Sequence, residues 1–129
     1  MRFNPFNRHY GFEWRSDHSI DIGLKYAAME AGNIDVTMVY STDGLNRRFN
    51  LYVLEDDLKF FPEYNAAIQF RTTLFEEFAE TAPNLREVLS MLTGIIDTET
   101  MTTLNYAADA LGEDFTDIAR GFLVERGLL

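Results

Sequence analysis

Tyr40 and Tyr64 are the residues of this sequence whose type and position best suit chemistry. Tyr40 closes the apolar run Ile34–Tyr40, and Tyr64 closes the aromatic-proline corner Phe60-Phe61-Pro62-Glu63-Tyr64. Both fall where an extended segment gives way to a loop, which is where open α/β sheets place ligand contacts. The negative face of a phenol ring attracts a cation, by about 0.5 to 2 kcal/mol per ring depending on desolvation. Two such rings can therefore wall a cation site. Taken from the residues alone, the competing reading is a phenol that packs at a strand end with its hydroxyl in water.

The other reactive residue types are less well placed. Tyr10, Phe12, Trp14, Tyr26, Tyr52 and Tyr106 could join an aromatic site, but alternation or helical spacing accounts for most of them as core or surface. Thr42 and Asp43 follow Tyr40 in a turn and either orient that site or cap the short Gly44–Phe49 segment, so they are kept out of the direct ligand contacts. Glu55-Asp56-Asp57 reads as a solvated acidic loop rather than a metal site. His9 and His18 are too isolated for a metal pair or a general base. Adjacent Glu76 and Glu77 diverge on a helix and form no acid–base pair. Arg47-Arg48 is an exposed basic pair. No nucleophile elbow, phosphate loop or dinucleotide motif occurs, so an enzyme is disfavoured and no cofactor is expected.

Composition narrows the classes further. Eleven basic against twenty-one acidic residues leave a formal charge of −10, which repels nucleic-acid phosphates and anionic membranes, so no nucleic-acid partner is expected. Without cysteine there is no disulfide, thiol nucleophile or thiolate metal site. No apolar run approaches the roughly 20 residues that span a bilayer. The polar, aromatic start Met1–Tyr10 shows no signal-peptide core and no lipid-attachment cysteine.

The elements that must position these residues follow from periodicity. Residues 1–10 read as an irregular opening with a helical turn after Pro5, and Gly11–Arg15 alternates as a short strand. Apolar residues at 20, 24, 27, 28 and 31 predict a helix stopped by Gly32-Asn33. Ile34–Tyr40, Leu51–Leu54 and Ala66–Phe70 read as buried strands, which gives an α/β class. The rest is helical. Thr73 with Glu76 and Asn84 with Glu87 suggest capping boxes, Asp97 caps a helix that Gly112 stops, and a last helix starts near Asp114–Thr116 and buries Ile118, Phe122 and Leu123.

Several segments in order resemble the substrate-binding proteins of osmoprotectant ABC transporters, the group that captures glycine betaine, carnitine and choline. They are Asp21–Tyr26, Gly32–Val36, Tyr40–Gly44, Val53–Asp57, Phe60–Pro62, Leu104–Tyr106 and Phe122–Leu129. The resemblance covers roughly residues 10–129, is to the C-terminal portion only, and rests on order and spacing, since no single segment is specific.

It implies a two-lobed, type II periplasmic-binding-protein-like fold, truncated, with a helix-rich C-terminal half. Residues 1–60 would be the later part of the second lobe and residues 61–129 the returning part of the first. It implies binding of a quaternary ammonium through an aromatic cage, of which Tyr40 and Tyr64 match two positions, one per lobe. The remaining tyrosines and the groups that hold a betaine carboxylate would lie in an absent N-terminal region. The chain alone is therefore expected to bind weakly or not at all. A transporter permease is the implied partner, and an extracytoplasmic, membrane-associated location is implied. The alternative is an interaction fragment without a ligand, which completes its fold as a homodimer through its incomplete lobes or by pairing with a separate N-terminal half.

Overall fold

Aspartate, asparagine and glycine set the helix boundaries of this chain. The computed structural model describes residues 4–129. Among them lie α1 (Asn4–Tyr10), α2 (Lys25–Glu30), α3 (Gly44–Arg48), α4 (Leu74–Glu77), α5 (Leu85–Ser90), α6 (Thr98–Asp109) and α7 (Phe115–Glu125). The opening is thus helical from Asn4 rather than a single turn after Pro5. Helix α2 starts later than its apolar stripe predicts. The Asp21 carboxylate accepts from Gly23 N at 2.8 Å and its carbonyl from Leu24 N at 3.0 Å, which holds residues 21–24 in a turn.

Gly32-Asn33 ends α2 as expected. Gly32 takes φ +69°, its N–H reaches Met29 O at 3.0 Å, and Asn33 N reaches Ala28 O at 2.9 Å. That is a complete Schellman stop, in which the left-handed residue is most easily glycine. Asn50 does the same for α3 at φ +50°, with Leu51 N bonded to Asn46 O at 2.9 Å.

The two expected capping boxes do not form. Neither Thr73 nor Asn84 makes a side-chain cap bond. The Thr73 hydroxyl turns instead to Glu77, which also takes Arg71 at 2.7 Å, so the short α4 is braced by Glu77 and not by Glu76. Asp97 and Asp114 do cap α6 and α7, at 2.8 Å to Thr100 N and 2.8 Å to Thr116 N.

The strand expectations are corrected. Gly11–Arg15, Ile34–Tyr40, Leu51–Leu54 and Ala66–Phe70 all lack strand pairing, and no strand occurs among the described residues. A strand exists only through its ladder, and these runs have no neighbour in register to supply one. The α/β class is thus not realised in a sheet here. What packs is helical: α3 lies on α6, and α6 on α7, where Phe122 is buried. The α3–α6 contact joins residues from before and after position 60.

Candidate functional site

The structure brings Tyr40 and Tyr64 together. Their rings stack with centroids 5.8 Å apart and planes 19° from parallel, and both side chains are exposed, at 58% and 80%. A methyl group held between two rings needs two carbon contact distances, about 7–8 Å in all. At a centroid spacing of 5.8 Å the rings leave too little room for that group between them.

Beneath Tyr40 lies a buried polar network. Lys25 and Asn46 are the buried polar side chains among the described residues, at 6% and 5% exposure, beside Tyr26 at 5%. The Tyr26 hydroxyl donates to the Asp43 carboxylate and, at 3.1 Å, bridges to Asn46 Oδ1, while its ring stacks on Phe49. Asp43 also pairs with Lys25 Nζ at 3.6 Å and accepts Leu45 N at 3.1 Å as the cap of α3. Asn46 Nδ2 donates to Tyr40 O at 2.8 Å. Buried polar atoms must find partners or lose solvation energy, and these do so mutually. Burial first, and then the bond to the Asp43 carboxylate, push the Tyr26 phenol well above its ordinary range.

Helix α6 closes the other side. Asn105 Nδ2 donates to Thr42 O at 2.8 Å, and Arg47 lies over the Tyr106 ring at 4.8 Å. A Cβ on Gly44 would come within 2.4 Å of Tyr106 N, so only glycine lets the two backbones approach this closely. An open groove of about 530 Å³ runs alongside, lined among others by Ile22, Tyr26, Tyr40, Thr42, Asn105 and Asp109. Tyr40 is one of its walls.

Tyr64 is carried differently. Asp56 accepts Phe60 N and Phe61 N, each at 2.8 Å, and the Tyr10 hydroxyl. The bond from Tyr10 chiefly holds the Asp56 carboxyl below its usual range, so Asp56 braces the corner instead of belonging to a freely solvated acidic loop. Phe6 of α1 packs on Phe60 and Phe61 at 5.2 and 5.8 Å. Phe12 meets Trp14 at 4.7 Å, and His9 Nε2 meets Leu58 O at 3.0 Å. Most of the remaining aromatic candidates are thus spent on this cluster. Tyr52 stands 88% exposed, and Glu76 and Glu77 belong to α4.

Asp43 caps α3, the second of the two readings given for this turn, and Thr42 takes part through its backbone carbonyl. Lys25, Asn46 and Asn105 were not singled out from the sequence as site residues. Asp21–Tyr26 and Leu104–Tyr106 did stand out as segments, and they contain Lys25 and Asn105.

Residues 4–125 match the OpuAC family, described as the substrate binding domain of ABC-type glycine betaine transport system. The carnitine transport binding protein OpuCC of Listeria monocytogenes (strain 10403S) is 36% identical over 121 residues, which are 94% of this chain and 38% of that protein. The ergothioneine transport permease/ergothioneine binding protein EgtU of Helicobacter pylori (strain G27) is 34% identical over 98% of this chain and 22% of its own length. A solved structure, the crystal structure of glycine betaine/carnitine/choline ABC transporter, superposes with TM-score 0.73 at 34% identity, over 97% of this chain and 44% of that one. The chain spans about two fifths or less of the length of these curated relatives. With 4–125 matched and the same path followed in space, the chain belongs to the OpuAC family of substrate-binding domains.

Proposed function

We propose that this chain contributes to a binding domain for ABC-type uptake of quaternary ammonium osmoprotectants such as glycine betaine, carnitine and choline, with Tyr40 and Tyr64 as two walls of an aromatic cation site. A quaternary ammonium has no N–H to donate, so ring faces replace ordinary hydrogen bonds in recognising it. The observation that carries the reading is the meeting of those two rings at 5.8 Å, with Tyr40 also lining a groove. To admit a cation between them the rings must move apart; otherwise the cation takes an outer face.

The complete domain would be two-lobed and α/β, of the type II periplasmic-binding-protein kind, with residues 1–60 in one lobe and 61–129 in the other. Its extended runs would then be paired in sheets. It would work outside the cytoplasm against a membrane permease. Membership of a transport-binding family supports this reading over catalysis.

Two ring faces contribute about 1–4 kcal/mol, whereas millimolar affinity already requires about 4 kcal/mol. Calorimetric titration of the chain with glycine betaine, carnitine and choline should therefore give millimolar binding at best, lost in Tyr40→Ala and in Tyr64→Ala. Binding that survives both substitutions would sink the reading.

A second reading has its own observation. Val36, Met38, Tyr52, Leu54, Ile68 and Phe70, all on unpaired extended runs, are exposed. Such a surface suits an interaction fragment that completes itself as a homodimer or with a separate N-terminal half.

A further inference from the structure

The Tyr40 loop is gripped from two sides by carboxamides. On one side the Tyr40 carbonyl accepts Asp43 N at 3.1 Å and Asn46 Nδ2 at 2.8 Å. The Asn46 amide has no freedom to turn, because it is 5% exposed and its Oδ1 is bonded by the Tyr26 hydroxyl at 3.1 Å. On the other side the Thr42 carbonyl accepts Asn105 Nδ2 at 2.8 Å, from a residue 63 positions away on α6. The Gly44–Tyr106 approach leaves no space in which α6 could slide against this loop.

We propose that Asn46 and Asn105 are positioning residues that jointly aim the Tyr40 ring. The proposal rests on the reading of Tyr40 as a ligand wall, but concerns how that wall is held. The direction of a Cα–Cβ bond follows its own backbone, so fixing the carbonyls of Tyr40 and Thr42 fixes where the phenol starts. A carboxamide suits the task because it donates without carrying charge, whereas a carboxylate in its place would offer a carbonyl only acceptors. Asn46 acts from within the first half of the chain and Asn105 from the last third, so the Tyr40 loop is held jointly by α3 and α6. Tyr64 rides instead on the corner held by Asp56 and the rings of α1. The two rings are therefore held by different sets of contacts.

Nuclear Overhauser cross-peaks between the Tyr40 and Tyr64 rings test the clamp in the full chain. The wild type should show them. Asn105→Asp, which keeps the shape and removes the donor, and Asn105→Ala should both lose them while retaining helical circular dichroism. Leu123→Ala on α7 lowers stability without touching the loop and should keep the cross-peaks. Unchanged cross-peaks in both Asn105 variants would overturn the proposal. So would their loss in Leu123→Ala as well, because the signal would then follow stability alone, or their absence from the wild type. The comparison needs no ligand, so failure of glycine betaine to bind the wild type counts against the proposed function only.

Discussion

At the scale of single residues, Tyr26 is the side chain whose surroundings differ most from water. It is buried, stacked on Phe49 and bonded to Asp43. Its phenol is pushed up by burial and then by that carboxylate. A folded-state value above the unfolded one means that the fold favours the protonated phenol. This stability is fully present below pH about 10, the ordinary tyrosine value. It is lost as pH rises further, because the unfolded chain then releases a proton that the folded chain keeps. The thermal midpoint should therefore fall above that pH, and phenolate absorbance should show Tyr26 ionising above the ordinary tyrosine value. Ionisation of Tyr26 at the ordinary tyrosine value would contradict the buried network. In the sequence Tyr26 is one of several lesser candidates for an aromatic site, most of which helical spacing or alternation explains as core or surface. Its distinction comes from Asp43, 17 positions on.

At the scale of elements, the caps separate what local sequence controls from what it merely permits. Asp114 accepts from Thr116 N at 2.8 Å and Asp117 N at 3.3 Å, and those N–H groups hold its carboxyl below the usual range. Asn84, an equally good capping type, makes no cap bond. Asp114→Ala should lower the urea midpoint measurably, and Asn84→Ala much less. Equal losses would show that residue type rather than the observed bond matters. The Asp114 contribution is present above the ordinary carboxyl range and fades as pH falls through its lowered value. Helix stops were readable for a similar reason: Gly32 and Gly112, both at positive φ, act on backbone groups only a few residues away. Capping boxes were over-read at Thr73 and Asn84, because a hydroxyl or amide has competitors that only the fold reveals, as Glu77 is for Thr73.

At the scale of the whole molecule, the apolar residues outnumber the places in which this chain can hide them. Ile22, Leu24, Tyr52, Leu54 and Phe115 are each more than half exposed. Apolar surface of this extent drives association. Light scattering should show mass rising with concentration, and Val36→Lys with Leu54→Lys should suppress the rise. A monomer at every concentration would remove the interaction-fragment reading. Charge, the absence of cysteine, helix ends and family membership were set by the sequence itself. Each depends on composition, on near neighbours, or on segments in fixed order. Only the tertiary structure decided that Tyr40 meets Tyr64, that Lys25, Tyr26, Asp43 and Asn46 share one buried network, and that Asn105 reaches Thr42. It also decided that the β-like runs stay unpaired. Stacking, buried hydrogen bonds and ladders all need partners distant along the chain, and no local pattern of residues states which partner arrives.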